Sequence, residues 1–109
     1  MWIPPIEGDP AGMRQAAREL QARAAHIGER AAAVRLRIDR MRQAEKFVGP
    51  ASDRSAERLR SWEFRARRLA EELQALAHLL SREAADVERR QVARRRRLER
   101  LKDEARLRR

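Results

Sequence analysis

Between Pro10 and Gly49, apolar side chains return at a fixed interval. Met13, Ala17, Leu20, Ala24, Ile27, Ala31, Val34, Ile38 and Met41 follow one another at alternating steps of four and three. That spacing keeps one stripe on one side of a helix and marks a helix that packs lengthwise against another. The pattern stops at Phe47-Val48-Gly49-Pro50 and resumes as Leu59, Trp62, Ala66, Leu69, Leu73, Leu76 and Leu80, with Val87 one heptad further on. Asp9-Pro10 starts the first helix, because aspartate accepts hydrogen bonds from the free N–H groups and proline at the first helical position loses none. Gly49-Pro50 ends it and starts the second.

These signals predict an all-α chain, an antiparallel two-helix hairpin of the helical coiled-coil type. Residues 1–8 form an extended lead. Residues 9–88 form the hairpin, with its turn near 47–50. Residues 89–109 form a basic extension, helical in part or frayed. If the turn is centred near residue 50, partners across the hairpin have numbers adding to roughly 100. Ile38 then faces Trp62, Val34 faces Ala66, Ile27 faces Leu73 and Leu20 faces Leu80. The expected core of the hairpin or its dimer is Leu20, Ile27, Val34, Ile38, Trp62, Leu69, Leu73, Leu76 and Leu80.

A lone pair of helices leaves much of its apolar surface wet. Beside the second seam runs a row of small residues, Ala56, Ala70, Ala77 and Ala84. Ala25, Ala32, Ala33, Leu36 and Phe64 also lie off the seams. Gly28 sits inside the first helix, where it costs roughly 1 kcal/mol relative to alanine. A close approach by another helix accounts for that cost. The expected outcome is a four-helix bundle built from two hairpins.

Composition agrees with long helices. Charged residues make up 40% of the 109 residues and aromatic residues 4%, and cysteine is absent, which excludes disulfides and thiolate chemistry. No apolar run is long enough to span a membrane. The opening Met1-Trp2-Ile3-Pro4-Pro5-Ile6 lacks the basic region and long apolar core of a Sec-type signal peptide. The expected location is cytoplasmic, or outside the cell by a route independent of a signal peptide.

Catalytic and metal chemistry find no foothold. His26 and His78 fall off the seams, and neither has a second histidine four residues on. Carboxylates alternate with arginines, as on solvent-facing helices. No glycine-rich phosphate loop occurs. The chain is expected to be no enzyme, with no metal, no cofactor and no small-molecule substrate.

Phe47-Val48-Gly49 at mid-chain, followed by Pro50-Ala51-Ser52-Asp53, resembles the turn of the WXG-motif (ESAT-like) family of small type VII secretion proteins. Gly8-Asp9-Pro10-Ala11 and Ala84-Ala85-Asp86-Val87 add to the likeness, which covers roughly residues 8–92. The motif's tryptophan is Phe47 here. The chain has no tyrosine, so the family's Tyr-x-x-x-Asp/Glu export signal is missing. The resemblance implies a substrate or partner subunit of a type VII secretion system, acting by bundle formation with itself or with a related hairpin. Phe47, Val48 and Gly49 either plug the hairpin end or also dock a partner such as a secretion ATPase.

The charge of +10 is unevenly spread: residues 1–88 carry a net +2 and residues 89–109 a net +8. Arg94, Arg95, Arg96, Arg97 and Arg100 are candidates for contact with a polyanion or a protein partner. The alternative function is therefore a basic coiled-coil adaptor that binds nucleic acid or anionic surfaces through its C-terminal extension. The extension has no aromatic for base stacking and no strong apolar face for a membrane.

Overall fold

A computed structural model describes residues 7–43 and 50–108. Two helices account for nearly all of them: α1 (Pro10–Gln43) and α2 (Pro50–Leu107). They form one long hairpin, 91 Å in its longest dimension and 16 by 13 Å across. No strand occurs among the described residues. Phe47, Val48 and Gly49 lie outside them.

The start of α1 follows from three residues. The Met13 N–H donates to the Asp9 carbonyl at 2.9 Å, the first bond of the helix. Pro10 fills the first helical position. The Asp9 carboxylate lies where a side chain on Gly12 would stand: a Cβ there would come within 2.4 Å of Oδ2. At the other end, Arg40 and Arg42 occupy the last turn, where cations oppose the negative end of the helix dipole. α2 carries Asp53 in its first turn and Arg106 in its last, the same favourable arrangement. No glycine or proline follows Pro50, so nothing interrupts the second helix for 58 residues.

The helices run antiparallel, with a register close to that expected. Arg14 pairs with Glu88, Arg35 pairs with Glu63, and Gln91 Nε2 donates to the Gly8 carbonyl. In each case the two residue numbers add to about 100. Gly8 has φ +142°, and a Cβ there would come within 2.8 Å of Val87 Cγ1. Only glycine gives both that backbone and that clearance. The lead is thus fixed to α2 as far as Gly8.

The packing of α2 differs from the sequence expectation. In α1 the core residues are Ala17, Ala24, Ala31 and Ile38, with Leu20, Ile27 and Val34 half-buried beside them. In α2 the buried residues are Glu63, Ala66, Ala77, Ala84 and Val87. Leu73 and Leu80 are half-buried. Trp62, Leu69 and Leu76 are 40%, 47% and 48% exposed. Ile38 therefore has Glu63 rather than Trp62 on the inner face of α2, and Ala24 has Ala77 rather than Leu76. Ala66, Leu73, Leu80 and Val87 keep the inner positions expected of them, and the other half of the repeat shifts by one residue, from Trp62, Leu69 and Leu76 to Glu63, Ala70 and Ala77. The small-residue row set aside for a partner is the row that α2 presents to α1. Alanine against alanine permits close approach of the helix backbones, which a leucine at the same level would prevent.

Candidate functional site

That shift gives the hairpin two unlike faces. On one, Val34 and Trp62 line the same open groove together with Leu36 and the stems of Arg37 and Arg40. Heptad spacing carries Leu20 and Ile27 along α1, and Leu69 and Leu76 along α2, on the same side as Val34 and Trp62. Leu73 and Leu80 lie between this row and the buried seam, half covered. The result is a continuous apolar stripe along the hairpin, open to solvent. Soluble chains seldom leave a stripe of this kind uncovered. Leu36, Phe64 and Leu79 are 58%, 66% and 60% exposed. Phe64 sits apart among Arg67, Arg68 and Glu71.

The other face is ionic. Glu63 is 6% exposed and occupies the heptad position that Ala70, Ala77 and Ala84 hold further along. Its carboxylate forms an ion pair with Arg67 Nε at 3.0 Å on its own helix and accepts from Arg35 Nη1 at 3.5 Å on the other. Arg35 also lies 3.9 Å from Asp39. Arg14 and Glu88 close a second bridge between the helices near the far end. Sequence reasoning missed Glu63. The available signals were its place in the alanine row, an arginine four residues on and another arginine opposite.

α2 continues past the start of α1. The register puts Pro10 opposite residue 90, so α2 runs on for about seventeen residues, roughly 25 Å at 1.5 Å each. Arg89 and Arg90 both pair with Asp86, and Arg94 is also engaged. Arg95, Arg96, Arg97 and Arg100 are exposed. The extension is helical to Leu107.

His26 and His78 are exposed, and no group of three or more potential metal ligands exists among the described residues. No described helix is long and apolar enough to cross a membrane.

The family described as proteins of 100 residues with WXG matches residues 5–90. The chain belongs to this family. The match takes in α1, the turn motif and α2 up to the point where α1 no longer accompanies it. Residues 91–109 lie beyond the matched span. Neither a curated protein nor a solved structure gives a significant match. Proteins with WXG of this type are small helical substrates of type VII secretion, not known as enzymes, and they commonly form hairpin dimers with family partners. They are cytoplasmic before export. In this WXG protein the motif positions Phe47, Val48 and Gly49 fall outside the described residues.

Proposed function

We propose that this WXG protein is a substrate or partner subunit of a type VII secretion system and acts by forming a four-helix bundle. Its partner is a second hairpin, another copy or a related family member, seated on the stripe of Leu20, Ile27, Val34, Trp62, Leu69 and Leu76. The observation that carries this reading is the exposure of Trp62, Leu69 and Leu76 in one line. These are the large residues of a heptad repeat, and the hairpin leaves nearly half of each open. Covering them removes apolar area from water at about 25 cal/mol per Å².

The ionic face supports the same orientation. Its charges are already paired within the hairpin, so it gains little from a second helix pair. Export then proceeds on the signal of a tyrosine-bearing partner, since this chain has none. The motif residues Phe47, Val48 and Gly49, outside the described residues, would serve as a plug or as a contact for a secretion ATPase.

Light scattering tests the bundle. The reading expects a particle of about twice the 12.8 kDa chain mass, alone or on mixing with a related hairpin in the same cell. Leu69→Glu with Leu76→Glu should give a helical monomer in both settings. A wild-type chain that stays monomeric with every family partner offered overturns the reading. Secretion is tested separately, by following the chain into the medium with and without the system's ATPase.

A further inference from the structure

The geometry points to a second binding surface: the part of α2 beyond α1 is a polybasic helix that enters the major groove of duplex DNA without regard to sequence. The bundle reading does not use this segment, and the family match ends before it.

The charges come first. Residues 89–109 hold 11 basic and 3 acidic side chains. Asp86 is committed to Arg89 and Arg90, and Glu88 to Arg14. Glu99, Asp103 and Glu104 lie within the segment and offset only three of its eleven cations. Arg95, Arg96, Arg97, Arg100, Lys102 and Arg106 are all exposed, and none has an ion pair among the described residues. Like charges four apart, as at Arg96 and Arg100 or Lys102 and Arg106, destabilise an isolated helix. An external polyanion relieves that repulsion.

The placement of the charges selects the kind of polyanion. Successive helical residues are 100° apart, so Arg95, Arg96 and Arg97 point to three different sides. Arg100 falls between Arg96 and Arg97, and Lys102 and Arg106 fall near Arg95. A flat anionic surface, whether a bilayer or an acidic protein face, touches one side of a helix and leaves the others unpaired. A binding amphipathic helix would also need a broad apolar side. Leu98, Leu101 and Ala105 share one narrow side of the overhang and Leu107 lies away from it; two leucines and an alanine in line are too little to seat the helix in a bilayer. A groove meets a helix from several sides. The B-DNA major groove is about 12 Å wide, admits one helix and carries phosphates along both rims. Cations on opposite sides of the overhang then each find a phosphate.

A-form RNA has a major groove too narrow for a helix, so it lacks this fit at equal charge. From Val92 to Leu107 the chain has no Asn, Gln or aromatic side chain. Adenine recognition and base stacking are therefore not provided. The expected binding comes from phosphates and counterion release. The overhang projects from the end of the hairpin, so a duplex seated on it does not obstruct the leucine face.

Fluorescence anisotropy with the full chain tests this. The probes are two 24-bp DNA duplexes of unrelated sequence and one 24-bp RNA duplex, each from 50 to 200 mM salt. Competitors are phosphatidylserine vesicles and poly-glutamate. The two DNA duplexes should bind within about threefold of each other, and the RNA at least about tenfold more weakly. Log affinity should fall with log salt at a slope of about −4 to −6, since each neutralised phosphate contributes about 0.9. The variant R95Q/R96Q/R97Q/R100Q should lose about 3 to 4 of that slope, with its helical circular dichroism kept. No DNA binding at 50 mM salt, equal affinity for RNA and DNA, an unchanged slope in the variant, or complete displacement by vesicles or poly-glutamate at equal charge each overturns the proposal.

Discussion

The two faces of the hairpin are built from the same repeat and end in opposite states. On one face Glu63 lies almost wholly buried between Arg35 and Arg67, and its charges are matched inside the chain. On the other, Trp62, Leu69 and Leu76 stand nearly half exposed with nothing over them. Between the faces runs the contact itself, mainly alanines: Ala17, Ala24 and Ala31 with Ile38 from α1, and Ala66, Ala77, Ala84 and Val87 from α2, with Glu63 at an inner position reaching out to the ionic face. Small residues bring two helices close, and the large ones on their flank become a surface. The hairpin therefore pairs Glu63 and Glu88 within itself and leaves Trp62, Leu69 and Leu76 nearly half open. A two-helix protein too thin to hold a large core has this as a physical solution.

Substitutions on the two faces should separate fold from assembly. The largest effect falls on the open face. Leu69→Glu with Leu76→Glu should weaken the bundle by at least a thousandfold in sedimentation or light scattering, because it puts carboxylates where apolar area is to be covered. The unfolding of the separated hairpin should hardly change. Next comes the seam. Ala77 is fully buried, and Ala77→Leu forces the helices apart, at a cost of about 2 kcal/mol in urea unfolding of the hairpin itself.

Smaller effects belong to the ionic face and the lead. Glu63→Ala leaves Arg35 and Arg67 without their shared partner. Both arginines are more than half exposed and hydrate readily, so the expected cost is about 1–2 kcal/mol in thermal or urea unfolding. A single buried polar group also fixes the register of a helix pair, so disulfide trapping of cysteines introduced across the helices should detect slipped registers in this variant alone. Gly8→Ala should cost about 1 kcal/mol, from its positive φ and the approach of Val87, and should speed proteolysis at the start of α1. The smallest effect is expected at Phe64, exposed but off the stripe. Phe64→Ser should change stability by less than about 0.5 kcal/mol and leave the mass of the assembly unaltered.

Much of this architecture was legible in the sequence. The alternating steps from Met13 to Met41 place the seam of α1 where it lies, and Asp9-Pro10 marks its start. The near-equal length of the two seams gives the register that the Arg14–Glu88 and Arg35–Glu63 pairs display. The phase of α2 was not legible. Its sequence carries two adjacent stripes, one of leucines and one of alanines, 100° or less apart around the helix. Periodicity marks both and does not say which faces the sibling helix. The large residues draw attention because they have the most area to bury, while the small ones decide how closely two backbones approach. Glu63 was hidden for a related reason: a lone carboxylate in a heptad looks like a break in the seam until its two arginines are placed around it. The extension was recognised by its charge, and what the sequence left open was how far it stays helical. The i,i+4 arrangements of Arg95 with Glu99 and Arg100 with Glu104 favour the helix that reaches Leu107.

The central claim is that the leucine face is covered by a second hairpin, and Trp62 reports on it directly. In a Trp2→Phe chain, Trp62 is the sole tryptophan. Its emission and its quenching by acrylamide can be followed with light scattering through dilution, alone and with a family partner. The account predicts blue-shifted, protected emission in the assembled state, moving to red and open at the concentration where the mass halves. An assembly in which Trp62 stays as open to acrylamide as in the free hairpin would contradict it.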